Sequence, residues 1–409
     1  MTIKTERLEF RGATGATLAA RLDRPMVPPR AYALFAHCFT CSKDLFAVSR
    51  IAEGLAAEGI AVLRFDFTGL GSSEGEFANT DFSSNVGDLI AAADFLRSEY
   101  AAPEILVGHS FGGTAVLAAA QAIPEAKAVA TIGAPFDPGH VRHLLKDSIA
   151  EIERTGRAEV ELAGRSFRIE KGFLDDIAEQ RMGERLAKLG KALLVFHAPL
   201  DDQVGIENAT EIFSHARHPK SFVSLDGADH LLTDRADAVY VAGVLAAWSA
   251  RYVPLRQSDW PEPKAAPDEV VVAETREGTF PQVIAAGPHR LRADEPESYG
   301  GFDSGPTPYG LLLAGLGACT SMTMRLYANR KEWPVERFSV RLRHENIHAE
   351  DCEDCESREG MVALIEREIT IEGDLDDEQR ASLMRIADRC PVHRTLTHEI
   401  RIRTHLAEK

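Results

Sequence analysis

Basic residues are scarce beside acidic ones: 46 Lys and Arg stand against 63 Asp and Glu, a net charge of −17 at pH 7. Such a surface repels phosphate backbones and anionic headgroups, so neither nucleic acid nor a membrane surface is expected as a partner. Long apolar runs are lacking as well, and none approaches the roughly 18 residues that span a bilayer. Residues Met1–Arg7 have no apolar segment of the secretory type, so a cytoplasmic location is the expectation. Cysteine is sparse, six in 409 residues, which excludes a disulfide-stapled scaffold and points to reactive, metal-bound or buried thiols. There is no internal repeat, no low-complexity run and no phosphate-binding glycine loop. The stretch Gly69-Leu70-Gly71-Ser72-Ser73-Glu74-Gly75 lacks the Lys-Ser/Thr pair and helix start that cradle a phosphate, and no cofactor is expected.

What is present is a chain long enough for two domains, 44% apolar, with a distinctive turn at its centre. The apolar run Ile105-Leu106-Val107 leads into Gly108-His109-Ser110-Phe111-Gly112-Gly113, and the small-residue run Thr114–Ala120 leads out. A strand, a tight turn and a helix with serine at the apex form a nucleophile elbow. The flanking glycines let helix and strand approach closely, and the backbone N–H of Phe111 lies at the helix N-terminus, where it can stabilise an oxyanion. An elbow requires an acid and then a histidine, in that order, farther along the chain.

Strands read at 32–36, 60–65, 104–107, 128–132, 192–196 and 221–225 alternate with helices near 45–58, 84–98 and 234–250, after a hairpin over 6–22. That alternation predicts a mainly parallel sheet with helices on both faces and catalytic groups at the carboxyl ends of its strands. Asp201 and Asp202 follow the 192–196 strand, and His230 follows the 221–225 strand. Ser110, an aspartate and His230 thus appear in the required order.

On these residues the first part of the chain resembles the α/β-hydrolase fold over about residues 5–252. The family places its acid three residues before a valine, which favours Asp201, ahead of Val204, over Asp202. The resemblance implies Ser110 as nucleophile, His230 as general base and then acid, and Asp201 as the group orienting the imidazole. His197 and His109 read as bystanders. His37-Cys38-Phe39-Thr40-Cys41, together with Arg64–Gly75, is similar to the cinnamoyl and feruloyl esterase branch, which implies the Phe39 N–H as second oxyanion donor. Cys38 and Cys41 stand where those relatives have glycine and are read here as compact, partly buried thiols. Residues of about 136–190, too many for a simple crossover, are read as a lid with helices near 139–156 and 173–188 around a hairpin at 160–169. Small carboxylic esters are the implied substrates.

Prolines mark residues 253–267 as a linker, dividing a hydrolase domain (1–252) from a second domain (268–409). Strands at 270–275, 280–285, 337–347 and 361–372 and a helix at 376–388 predict an α+β unit. The stretch 310–324 is apolar or small all round, as in a helix buried on every side. Gly317-Ala318-Cys319-Thr320 and Cys390-Pro391 resemble the OsmC/Ohr family over about residues 268–405. That resemblance implies an intertwined homodimer and, in several members, thiol-dependent reduction of organic hydroperoxides, with Cys319 peroxidatic and Cys390 resolving. Residues 307–309, Thr-Pro-Tyr, carry no carboxylate where the peroxidase branch has glutamate, so a purely structural dimerisation module stays open beside the peroxidase. His344, His348, Cys352 and Cys355 have zinc-ligand chemistry, but two histidines four apart on a strand stand about 13 Å from each other, and no metal is assigned.

Overall fold

The structure, a computed structural model, describes residues 3–38, 42–143, 145–162, 165–253, 262–348 and 360–407. The chain divides into two compact units, 1–260 and 261–409, and the boundary falls inside the proline-rich segment.

In the first unit the elements run β1 (Ile3–Arg11), β2 (Thr17–Pro25), β3 (Ala31–Ala36), α1 (Phe46–Ala57), β4 (Ile60–Phe65), α2 (Phe82–Glu99), β5 (Ile105–His109), α3 (Phe111–Ala119) and β6 (Ala128–Ile132). They continue through α4 (Ile149–Thr155), β7 (Arg157–Leu162), β8 (Arg165–Glu170), α5 (Lys171–Glu179), α6 (Met182–Ala187), β9 (Ala192–His197), α7 (Glu207–His215), β10 (Lys220–Ser224) and α8 (Arg235–Ser249). Eight strands form one sheet in the order β1-β2-β4-β3-β5-β6-β9-β10. The β1–β2 and β2–β4 pairs are antiparallel, and every pairing from β4 onward is parallel.

Both faces of the sheet are covered, which is why its central strands read as unbroken apolar runs. Alternate residues of one strand enter different cores: Leu34, Leu106 and Leu193 join one cluster, while Phe35, Val107 and Leu194 join the other. The insertion between β6 and β9 is more broken than its sequence suggests. A 3₁₀ turn (Pro138–His143) and α4 replace the expected helix over 139–156, and extended backbone at Gln180 separates α5 from α6. Val141, Ile152, Phe167, Phe173 and Leu174 of this insertion belong to the first core cluster, so it is packed onto the domain. The Ser83 N–H, at the start of α2, donates to Asp176 of α5 at 2.9 Å and ties the two helices together.

The second unit comprises β11 (Val270–Glu274), β12 (Gln282–Ala286), β13 (His289–Ala293), α9 (Pro308–Arg330), β14 (Val335–His348), β15 (Met361–Gly373), α10 (Asp377–Ala387) and α11 (Pro391–Leu396). β11–β13 form an antiparallel meander, and β14 and β15 a long hairpin. α9 corrects the expectation of a helix buried on every side. Its buried residues are Leu316, Gly317, Thr320, Met324 and Ala328, a single stripe, while Met322 and Leu326 are exposed. β14, α10 and α11 pack against α9, and Leu312 is exposed as well. Among the described residues α9 is also the one helix long and apolar enough to cross a membrane, although its stripe packs as a core helix does.

Candidate active site

Strand β5 ends and α3 begins at Ser110, whose backbone sits at φ 53° and ψ −125°, a conformation that side chains other than glycine avoid. Strain of this kind persists only where the surroundings enforce it. Here the Ser110 N–H donates to Ile132 O at 2.8 Å, and its carbonyl accepts from the Gly113 N–H at 2.8 Å. A Cβ on Gly112 would stand 2.3 Å from His37 O and 2.5 Å from Ala36 O, so the end of β3 passes too close to α3 for any other residue. The result lifts the Ser110 side chain off the carboxyl edge of the sheet.

The sheet brings the three residues expected from their order into one row. His230 Nε2 lies 2.9 Å from Ser110 Oγ, and His230 Nδ1 lies 2.7 Å from Asp201 Oδ2. The other carboxylate oxygen of Asp201 accepts from the Gln203 and Val204 N–H groups, each at 2.9 Å. Burial pushes the Asp201 carboxyl up, but the bonds from His230, Val204 and Gln203 outweigh it, and the group titrates below the ordinary carboxylate range. Asp202 is exposed and takes no part. Gly133 lies beneath the row at φ +54°, where a Cβ would stand 3.3 Å from both Asp201 Oδ2 and His230 Nδ1. The sequence contains no signal that picks out this glycine.

Phe111 is the first residue of α3, with its ring buried edge-on against Phe82 at 5.5 Å. Its amide therefore sits at the helix N-terminus beside the nucleophile. Phe39 and Cys41 lie outside the described residues. Cys38 is buried and disulfide-bonded, which corrects its reading as a free thiol. The stretch on either side of residues 39–41 is held by buried polar contacts. His37 Nδ1 donates to Cys38 O at 2.7 Å, while the Lys43 N–H and Nζ both donate to Asp66, at 2.6 and 2.7 Å. From the insertion, His140 Nε2 donates to Gln203 O at 3.0 Å and joins that segment to the Asp201 loop.

In the second unit, Cys319 is half-buried and Cys390 fully buried, and neither forms a disulfide. Cys390 caps α11, its Sγ accepting from the His393 N–H at 3.3 Å. The side chain facing it from α9 is Thr320, with Oγ1 at 3.6 Å, rather than the adjacent Cys319. Arg367 of β15 donates to Thr320 Oγ1 at 3.0 Å and pairs with Asp388 at 2.6 Å. Sequence reasoning missed both Thr320 and Arg367. His344 and His348 lie on β14, Cys352 and Cys355 lie outside the described residues, and no metal-binding cluster occurs among the described ones.

Comparison with known proteins separates the two units. A family model described as serine aminopeptidase, S33, matches residues 28–162, and one described as OsmC-like protein matches residues 301–405. The crystal structure of the esterase domain of a Rhodothermus marinus protein is 52% identical, covering 62% of this chain and 100% of that domain at a TM-score of 0.51. The mitochondrial palmitoyl-protein thioesterase ABHD10 of Rattus norvegicus is 32% identical over 126 residues, 29% of this chain and 41% of that protein. The chain therefore spans less than half the length of that relative. Mouse alpha/beta hydrolase domain-containing protein 10, 20% identical at a TM-score of 0.50, covers 60% of this chain with 99% of its own and shares the fold.

Proposed function

Because the chain belongs to the α/β-hydrolase family through its first unit and to the OsmC family through its second, we propose that it is a serine hydrolase of small carboxylic esters, assembled as a homodimer. The observation that carries the first part is the unbroken row Ser110–His230–Asp201, with contacts of 2.9 and 2.7 Å. His230 Nε2 accepts the Ser110 proton as Oγ attacks the carbonyl carbon, and Asp201 holds Nδ1–H and stabilises the imidazolium that forms. The Phe111 N–H faces the developing oxyanion, with Phe39 as the second donor in this reading. His230 then passes its proton to the leaving alcohol, and water cleaves the acyl-enzyme by the same steps in reverse. Likeness to the Rhodothermus esterase domain supports esters as substrates, and likeness to the palmitoyl-protein thioesterase extends the class to thioesters.

Ser110→Ala is expected to abolish p-nitrophenyl ester turnover and fluorophosphonate labelling while leaving the circular dichroism spectrum intact. Asp201→Asn should lower kcat by about 10³- to 10⁴-fold and Asp202→Ala should not. An unchanged rate in Ser110→Ala sinks the reading.

The second unit supports assembly. Its one cluster of buried apolar residues among the described ones, Met324, Ala328, Val335, Leu383 and Ala387, is small for a unit of its length, with Ile284, Ala285, Ala293 and Leu316 buried outside it. A groove of about 420 Å³ runs between α9 and β14, lined by Leu313, Ala314, Gly317, Val340 and Leu342 among others. In this reading a second copy covers that groove and the uncovered side of α9. The His393 N–H bond to Cys390 Sγ supports a second reading, thiol-dependent reduction of organic hydroperoxides with Cys319 and Cys390 as its thiols, in which Cys319 has to turn toward Cys390 or meet it from a second copy.

A further inference from the structure

Two buried histidines outside the catalytic row occupy equivalent places. His109 is the last residue of β5, directly before Ser110, and His197 is the last residue of β9, four before Asp201. Both are almost wholly buried, and each donates from Nε2 to a main-chain carbonyl 2.7 Å away. The acceptor for His109 is the carbonyl of His230 itself. For His197 it is the carbonyl of Val204, whose own N–H donates to Asp201 Oδ1.

Each bond ties a loop that carries a partner of Ser110 to the end of a sheet strand. Among the described residues β10 is an edge strand paired only with β9, and the loop after it carries His230. That loop closes on itself through Ala228 N–H to Leu225 O and Leu232 N–H to Asp229 O, and Leu232 sits at φ 51°. The His109 imidazole joins it to the strand that bears the nucleophile. We propose that His109 and His197 are positioning residues, each a fixed Nε2–H donor that sets the distance of one partner of Ser110, His109 for His230 and His197 for Asp201. This rests on the esterase reading and deepens it.

A carbonyl acceptor dictates the tautomer: the hydrogen is on Nε2, and Nδ1 carries the lone pair. In both rings Nδ1 has no partner among the described residues, so a proton added there would be a buried donor without an acceptor. The surroundings of His109 keep that proton off. Burial, first, and then the charge on His230 push its pKa down to about 4; the bond to the His230 carbonyl and Asp201 oppose them, and His37 adds to the lowering.

The test compares His109→Leu with His109→Gln, whose side-chain amide reaches the Nε2 position. In the full-length protein, His109→Leu should lower kcat on p-nitrophenyl butyrate by roughly 10- to 100-fold at nearly constant KM, because a misplacement near 1 Å costs that much. His109→Gln should recover at least tenfold of it. By NMR, wild-type His109 should show the Nε2–H tautomer from pH 7 to pH 5. The downfield proton between His230 and Asp201 should broaden in the leucine variant and return with glutamine. If the leucine variant does not fold, His109→Asn replaces it, since its shorter amide falls short of the carbonyl. Equal loss in the leucine and glutamine variants, or an Nδ1–H tautomer, overturns the proposal. Failure of the esterase reading looks different: wild type would neither turn over the ester nor take up fluorophosphonate, while the tautomer and the downfield proton still decide the bond.

Discussion

The His109 site makes a quantitative demand on stability as pH falls. Its native pKa of about 4 lies about 2.5 units below the ordinary histidine value of 6.5. Between those values the unfolded chain binds a proton that the native chain refuses, so stability declines as pH falls through that window. At 1.36 kcal/mol per unit, the loss attributable to His109 reaches about 3 kcal/mol by pH 4. Asp201 acts elsewhere: its native pKa lies below the ordinary carboxylate value, so its contribution is present above that value and is lost only in stronger acid. His37, lowered chiefly by burial, adds to the His109 trend, whereas Asp88, raised chiefly by burial, opposes it as its own range is approached. The difference between wild type and His109→Gln cancels both. Hydrogen exchange on peptides from β5 and α3, corrected for intrinsic rates, reads the opening free energy of this core at pH 7, 6, 5 and 4. Wild type should lose about 3 kcal/mol more than the variant over that range. Parallel curves, or a steeper decline in the variant, would refute a buried neutral His109.

The uncovered groove of the second unit predicts that Ala314→Arg places a charge where a second copy would pack; sedimentation should then report a monomer, with ester turnover in the first unit unchanged. A dimer that survives the substitution removes the groove from the interface. For the thiol reading, dithiol-dependent loss of cumene hydroperoxide should disappear in Cys390→Ser and Cys319→Ser. Thr320→Val should weaken it, because the valine keeps the shape but removes the hydroxyl facing Cys390.

Much of the first unit could be read in advance because its signals are local. A strand buried on both faces reads as an unbroken apolar run, as Ile60–Phe65 does, and residues that follow such runs emerge at the sheet's carboxyl edge. Ser110, Asp201 and His230 each stand in such a place, so their order sufficed to unite them. The elements that escaped are those whose meaning depends on phase. An amphipathic helix announces which side faces the core, but α9 is apolar or small almost all round and carries no phase in its sequence. Only the stripe Leu316–Thr320–Met324, four residues apart, reveals which side is inward. That phase turns Thr320 toward Cys390 and swings its neighbour Cys319 about 100° away around the helix. His109 follows the same logic at the end of a strand. It adjoins Ser110 in sequence, yet its acceptor is the carbonyl of a residue 121 positions later. No pattern in either segment encodes that meeting, since it depends on how far the loop after an edge strand folds back over β5. A motif names the residue that carries the chemistry, while the residue beside it points elsewhere and meets whatever the tertiary fold brings there. In both units that neighbour, His109 or Thr320, is the side chain that contacts the motif's partner.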